Sequence, residues 1–356
     1  GGTGGHVIPA LSVARELMQK GYQVHWLGSI KGIENELVAD AGYPLHRISV
    51  TGLRGSGGLK ILLAPFQLVR AVWQAFKVFR RVKPVMALGM GGFASGPGGL
   101  VAALSRTPLV VHEQNAIAGM TNKILSVFAK PLLQAFANTF NRKKNIHTVG
   151  NPVRSSIVDI DEPSERLKDR QGMLNVLVVG GSLGAVAINN VVIDVMAKFA
   201  SEQKSSVNLW HQTGKRNFDD VKAGYENTLI ENVKVNAFIA DMAGAFAWSD
   251  LVICRSGALT VSELAAAGVA GILVPYPFAV DDHQTENGRS LVQAGGAIMI
   301  NQNDFTEERL INELEMLQQN REKVLDMSLA ARTLCKPESA KVVAKHCIEA
   351  INERSE

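Results

Sequence analysis

The apolar positions of the chain fall into short runs, each followed by a turn of small residues and then by a longer stretch with helical spacing. The clearest runs are Gln23–Leu27, Val85–Leu88, Leu109–His112, Asn175–Val179, Leu251–Cys254 and Gly271–Val274. Strand, loop and helix repeated in this way predict parallel α/β layers. A helix is read from about Pro9 to Lys20, ahead of the first run. Gly-Met-Gly-Gly and an apolar helix follow Val85–Leu88, and G-G-S-L-G-A and a helix follow Asn175–Val179. R-S-G-A and the helix T-V-S-E-L-A-A-A-G follow Leu251–Cys254, and P-Y-P follows Gly271–Val274. Near the end, Glu338–Asn352 reads as an amphipathic helix.

Two glycine turns that open helices, Gly1–Gly5 and Gly180–Gly184, stand about 180 residues apart and suggest a pair of Rossmann-like domains. A glycine turn ordinarily follows a strand, so a first strand is expected ahead of Gly1. A length of 356 residues suits two domains of about 150–200 residues each. The expected division is 1–153 and 173–337, with 154–172 as a junction marked by Pro163 and mixed charge. The helix of 338–356 is expected to pack back on the first domain. Ligands of open parallel sheets bind beyond the carboxyl ends of the strands. Two such domains facing each other would leave a deep cleft with one substrate per domain.

Apolar residues make up 46% of the chain, enough for two cores, and charged residues 20%, so no long segment reads as disordered. The three cysteines form no C-x-x-C pair and read as free thiols of a reducing cytosol. No Cys/His cluster has zinc spacing. No secretory leader is visible, and the longest uncharged run, Pro84–Ser105, is broken by glycines and prolines rather than built as a membrane span. Residues 1–158 hold 18 Lys and Arg against 5 Asp and Glu, whereas 159–356 hold 19 against 28, within a net charge of +4. The first half is therefore expected to face something anionic: nucleic acid, acidic lipid headgroups or a diphosphate.

Neither glycine turn matches G-x-G-x-x-G, and no acid is placed to hold an NAD ribose, which argues against a nicotinamide enzyme. Glycines ahead of a helix still let backbone N–H groups approach an anion. Glu263, early in its helix, could bind a ribose diol or simply favour the helix N-terminus. D-D-H-Q-T-E-N-G, residues 281–288, offers groups for sugar hydroxyls or is a polar loop. His112, Glu113, Gln114 and Asn115 follow an apolar strand and read as a site. His6 beside the first glycine turn could be a general base, a phosphate partner or a helix cap. Asp159-Ile160-Asp161 resembles a metal-binding D-x-D but lies in the junction rather than at a strand end. Leu59–Lys83 interleaves apolar, aromatic and basic residues, as in a helix at a membrane interface or a core-facing helix with a solvated basic side.

G-G-T-G-G-H, G-M-G-G-F-A-S-G-P, H-E-Q-N, G-N-P-V-R, G-G-S-L-G-A, C-R-S-G-A-L-T-V-S-E and H-Q-T-E-N together resemble one family over nearly the whole chain. It is the MurG family of bacterial UDP-N-acetylglucosamine:N-acetylmuramyl-(pentapeptide) pyrophosphoryl-undecaprenol N-acetylglucosamine transferases. The resemblance implies an α/β GT-B fold, two Rossmann-like domains with parallel sheets facing across a cleft. It implies inverting transfer of N-acetylglucosamine from UDP-GlcNAc to the 4-hydroxyl of a lipid-linked muramyl-pentapeptide, lipid I to lipid II. The enzyme would be peripheral to the anionic cytoplasmic face of the inner membrane, with no cofactor, no metal and no nucleic-acid partner.

Carried over by position, the pattern puts Thr3, Gly4, Gly5, Asn115 and Arg154 at the donor site. In the second domain it adds Ser182, Ile239 through its backbone, Ala258, Leu259, Thr260, Val261, Ser262, Glu263 on the ribose, and Gln284. His6 matches the proposed base, with His112 and Glu113 as alternatives. Phe93 stands where Tyr is expected, Leu183 where Gln is usual and Gly288 where Ala is common. The rival readings are a UDP-sugar epimerase of the same fold, a nicotinamide oxidoreductase and a non-catalytic membrane-binding protein.

Overall fold

The computed structural model describes residues 4–50, 64–140, 145–181, 184–202, 207–226 and 232–353. Expectations on Thr3, Ser182, Leu183 and 59–63 lie outside these residues. The chain divides into two compact units, 1–154 with 336–356, and 155–335.

The first unit runs α1 (Gly4–Gln19), β1 (Trp26–Ser29), α2 (Glu34–Asp40), β2 (Leu45–Ile48), α3 (Ala64–Val82), β3 (Ala87–Gly89), α4 (Ser95–Leu104), β4 (Leu109–Glu113), α5 (Met120–Leu125), β5 (Leu132–Gln134) and β6 (Ile146–Thr148), and ends in the C-terminal helix (Ser339–Asn352). β1 and β2 pair in parallel, and β3-β4-β5-β6 form a second parallel sheet. β1 starts later than the apolar run suggests, because Trp26 is the residue whose N–H reaches Pro44 O and opens the pairing. α1 starts earlier than Pro9, which lies inside the helix. Proline favours a helix start, but here it sits past the first turn, and the extra turn brings His6 into the helix.

Every residue of β4 is buried. Successive strand side chains point to opposite faces. Val110 packs with Val13 and Leu17 of α1 and with Val343, Ala344 and Cys347 of the C-terminal helix. Leu109 and Val111 pack on the other face, with Ala102, Leu125 and Leu132. The same alternation sends His112 and Gln114 toward α1 and Glu113 toward α5. An apolar cavity of about 530 Å³, lined in part by Leu17, Tyr22, Trp26, Phe79 and Leu88, reaches His6.

The second unit runs α6 (Ser155–Val158), α7 (Pro163–Arg166), β7 (Leu174–Val179), α8 (Val186–Ser201), β8 (Val207–Gln212), α9 (Phe218–Glu226), β9 (Val233–Asn236), α10 (Met242–Trp248), β10 (Leu251–Cys254), α11 (Ala258–Ala267), β11 (Ala270–Leu273), a 3₁₀ turn (Val280–Asp282), α12 (His283–Gln293), β12 (Ala297–Met299), α13 (Glu307–Gln319) and α14 (Arg321–Arg332). Its sheet is parallel throughout, in the order β12-β11-β10-β7-β8-β9. The strand order therefore reverses between β7 and β10, the place where such sheets hold ligands.

From Ser155 on, the stretch expected as a junction belongs to this unit. Two of its charges, Arg166 and Arg170, are structural, whereas Asp159, Asp161, Glu165, Lys168 and Asp169 are exposed. Arg166 donates to Ser249 O and Gly268 O at 2.8 and 2.6 Å. Arg170 pairs with Asp250 Oδ1 at 2.7 Å, and Arg321 of α14 with Oδ2 at 2.8 Å. The Asn175 N–H at the start of β7 also donates to Oδ2. Asp250 is 1% exposed, and removing one partner of a buried ion pair leaves uncompensated charge. Asp250→Ala is expected to destabilise the second unit by about 3–5 kcal/mol, read as a lower urea midpoint; an unchanged midpoint contradicts this account of the segment.

Candidate functional site

In the first unit the site grows from the carboxyl end of β4. The Gln114 amide bridges two histidines: Oε1 lies 3.0 Å from His6 Nδ1, and Nε2 lies 3.1 Å from His112 Nδ1. His112 Nε2 donates to Gly150 O at 2.9 Å. The turn after β3 closes on His6 at Gly91, whose φ is +78° and where a Cβ would stand 3.2 Å from His6 Cε1. Glycine is the residue that tolerates both that backbone and that approach. Asn151 Nδ2 donates to Gln114 O at 3.2 Å.

Glu113 points the other way. Its Oε1 accepts from Asn115 N and Nδ2, both at 3.0 Å, and its Oε2 from Gly119 N at 3.0 Å and Asn122 Nδ2 at 2.8 Å. A carboxylate so occupied orients Asn115 and the start of α5. His112 has no exposed surface. Burial pushes its pKa down to about 4 against the smaller opposing pulls of the Gly150 hydrogen bond and the Glu113 charge. Of the three candidate bases, His6 alone is only partly buried. His112 and Glu113 are built as supports for that corner. Gly4 and Gly5 form the first turn of α1, and Arg154 ends the unit, partly buried beyond Gly150 and Asn151.

In the second unit the described part of the glycine turn, Gly180, Gly181 and Gly184, follows β7. Gln212 at the end of neighbouring β8 clamps it, accepting from Gly181 N at 2.9 Å and donating to Gly181 O and Ala237 O at 3.1 Å each. At Gly184 φ is +79°, and a Cβ would stand 2.6 Å from Thr213 O. Beside it, at the end of β10, Arg255 donates to Val274 O and Pro275 O at 3.1 Å each and to Gln302 Oε1 at 2.6 Å. The guanidinium thus fixes the loop after β11.

α11 begins at Gly257, which is extended and supplies no side-chain cap, and the positive end of its dipole favours an anion there. Ala258, Leu259 and Val261 are buried, Thr260 and Ser262 partly so, and Ser262 Oγ turns back to Ala258 O at 2.8 Å. Glu263 is 5% exposed on the next turn. Gln284 Oε1 accepts from Tyr276 N at 2.9 Å, tying α12 to the loop that carries exposed Tyr276 and Phe278. Ile239 is buried after β9. The described candidates of this unit therefore lie beyond the carboxyl ends of its strands, with the glycine turn and α11 at the reversal of strand order. Asp159 and Asp161 lie between α6 and α7 instead.

Reasoning from sequence did not single out Gln212, a polar residue that ends an apolar strand, and Arg255 opened a recognised motif without a role of its own. Gln114 stood inside a recognised motif without a role of its own.

Two Rossmann-like units, each built on parallel sheet, give the chain the architecture of a GT-B glycosyltransferase. The family 28 glycosyltransferase N-terminal domain matches residues 1–134, and the family 28 C-terminal domain matches 175–346. The UDP-N-acetylglucosamine–N-acetylmuramyl-(pentapeptide) pyrophosphoryl-undecaprenol N-acetylglucosamine transferase of Marinobacter nauticus is 49% identical over 352 residues, 99% of this chain and 96% of that protein. Its Coxiella burnetii namesake is 48% identical over 98% of this chain and 96% of its own length. The crystal structure of Acinetobacter baumannii MurG superimposes with a TM-score of 0.80 at 38% identity, covering 98% of this chain and 97% of that one. The chain belongs to glycosyltransferase family 28 and, within it, to the MurG transferases. A Listeria monocytogenes structure described as a putative UDP-N-acetylglucosamine 2-epimerase has a TM-score of 0.69 at 15% identity, a likeness of fold alone.

The buried histidines set a pH dependence. Burial lowers His112 to about 4 and His211 of β8 to about 3, from 6.5. The unfolded chain takes up these protons below about pH 6.5 and the folded chain only near the lower values. Stability is thus fully present above 6.5 and falls as the pH drops through that window. Urea midpoints are expected to fall between pH 7.5 and pH 5, with a smaller fall in His112→Asn; equal falls contradict the assignment.

Proposed function

We propose that this chain transfers N-acetylglucosamine from UDP-GlcNAc to the 4-hydroxyl of undecaprenyl-diphosphate-linked N-acetylmuramyl-pentapeptide, inverting the anomeric centre and forming lipid II. The observation that carries this reading is the glycine turn beside the start of α11 at Gly257, with buried Glu263 one turn on: a seat for a diphosphate at the positive end of a helix, next to an acceptor for a ribose diol. Glu263 holds the ribose and the backbone of Ile239 the uracil. Ala258, Leu259, Thr260, Val261 and Ser262 supply the helix start that faces the nucleotide, and Gln284 reaches the sugar. Thr3, Gly4, Gly5, Asn115, Arg154 and Ser182 complete the binding set.

The reaction is a single displacement. The acceptor oxygen forms its bond to the anomeric carbon as the bond to the diphosphate oxygen breaks, and the hydroxyl proton passes to His6. Backbone N–H groups and helix dipoles meet the charge that develops on departing UDP. A positioned base contributes about 10²–10⁴-fold. His6→Ala is therefore expected to lower kcat by roughly that factor with donor affinity kept. The decisive assay incubates UDP-GlcNAc with and without the lipid-linked muramyl-pentapeptide. Disaccharide and UDP are expected only with the acceptor, and UDP-sugar conversion without it would return the chain to the epimerase reading.

The same reading places the enzyme peripherally on the anionic cytoplasmic face of the inner membrane. On α3, Phe66, Val69, Trp73 and Phe76 are exposed along one stripe, opposite buried Ala71 and Ala75. Arg70, Lys77 and Arg81 flank the stripe, and Lys77 Nζ sits 3.5 Å over the Trp73 ring. An apolar stripe edged by cations is the pattern of an interfacial helix. No described helix is long and apolar enough to cross a membrane. Reversing the charges of Lys77, Arg80 and Arg81 is expected to release the protein from anionic vesicles in co-sedimentation, whereas unchanged binding returns α3 to an ordinary solvated face.

A further inference from the structure

We propose that Gln114 is a positioning residue that sets the tautomer of His6, holding the ring proton on Nδ1 and presenting the lone pair of Nε2 to the acceptor hydroxyl. This rests on His6 being the base.

The argument starts at a backbone carbonyl. Gly150 O can only accept, so His112 Nε2, 2.9 Å away, carries a proton. His112 is fully buried, and burial keeps it neutral down to about pH 4. A neutral imidazole with its proton on Nε2 has an acceptor at Nδ1. The group 3.1 Å from that acceptor must be the amide NH₂ of Gln114. His112 O at 3.3 Å and Met90 Sδ at 3.9 Å, two further acceptors, stand on the same side of the amide. Three acceptors thus fix which way the amide faces, a choice that must be made from hydrogen-bond partners. Oε1 is left toward His6 Nδ1 at 3.0 Å. Since Oε1 only accepts, His6 Nδ1 donates, and in the neutral ring Nε2 has the lone pair.

Free imidazole side chains favour the other tautomer, so the preference here comes from the protein. Gln114 is 1% exposed and His112 0%, which leaves little water to compete for either amide face. The polarity is anchored at Gly150, whose φ is +80° and where a Cβ would stand 2.5 Å from Lys336 Cβ and 2.6 Å from Ser339 Oγ. The carbonyl that starts the chain is therefore held by a position that admits only glycine. When Nε2 takes a proton, Nδ1 still donates to Oε1, so the network need not rearrange between the two charge states. Besides His6, the titratable member of this hydrogen-bonded series is His112 on β4, and burial keeps it neutral. Glu113 is turned to α5, and the turn after β3 meets the ring with Gly91.

The test compares wild type, Gln114→Met, Gln114→Glu and His6→Ala. Nitrogen-15 NMR of histidine-labelled protein, with His6 assigned by its loss in His6→Ala, reads the tautomer, and kcat is followed against pH. His6 is expected as the Nδ1–H form in wild type and to shift toward Nε2–H in Gln114→Met. Losing one hydrogen bond should lower kcat by roughly 3–10-fold with KM for the donor kept. The acid limb of kcat should move to lower pH, because the imidazolium loses its acceptor. Gln114→Glu restores an acceptor and adds negative charge, so its acid limb should move to higher pH. UDP binding measured on each variant verifies folding. A purely structural glutamine would move neither tautomer nor acid limb. An Nε2–H His6 in wild type, or an unmoved tautomer and limb in Gln114→Met while His6→Ala is inactive, overturns the positioning role and leaves the base assignment standing. Full turnover in His6→Ala overturns the base assignment itself, and this role with it.

Discussion

A parallel strand covered on both faces has no solvent side, so every polar residue at its carboxyl end must find a partner inside the protein. That constraint builds both halves of this enzyme. On β4, His112, Glu113 and Gln114 are all buried, and each is matched: one to a carbonyl, one to four amide donors, one to two rings. On β8, His211 is held between Tyr225 Oη at 2.7 Å and Asn189 Oδ1 at 3.1 Å, while Gln212 clamps the glycine turn. In each unit a glutamine at the end of the strand projects its amide onto an element of the candidate site, Gln114 onto His6 and Gln212 onto Gly181. The demand to satisfy buried polar groups and the demand to position a ligand are met by the same hydrogen bonds.

How far the sequence reveals this depends on the distance over which each partner acts. Leu251–Cys254 is both the expected run and the observed strand, because four apolar residues between turns have few other uses in a parallel sheet. The glycine turn after β7, the family motifs and the GT-B class are local patterns and were legible. The stretch from Ser155 to Gly172 was not. Its prolines and mixed charges look like a linker, and only the fold brings Arg170 and Arg321 together on Asp250, from 80 and 71 positions away. Gln114 and His6 are 108 positions apart, so the motif names the glutamine without its task. The start of α1 was misplaced for a different reason. Pro9 is a helix-start signal, yet the helix opens earlier and carries His6 on its first turn.

Charge follows the same logic. Among the described residues, cations of the first half stand on exposed faces such as that of α3, where Arg70, Lys77, Arg80 and Arg81 stand beside exposed aromatics. In the interior of the same unit the two groups that hold and back His6, Gln114 and His112, are neutral. Exposed charge governs attraction to an anionic surface and is screened by salt, whereas the chemistry is set where water is excluded.

That division explains why a glutamine suits this place better than the carboxylate that partners histidine in many hydrolases. A buried carboxylate on Nδ1 would raise the basicity of His6 and hold it protonated near neutral pH. It would also set a negative charge close to an acceptor that already carries a diphosphate. A neutral amide oriented by His112 and Gly150 gives the same tautomer without either effect. The ring of His6 is then spared a neighbouring negative charge that would favour its protonated form. The neutrality of His112, enforced by its burial, is what allows the orientation to pass from a backbone carbonyl to the ring of His6.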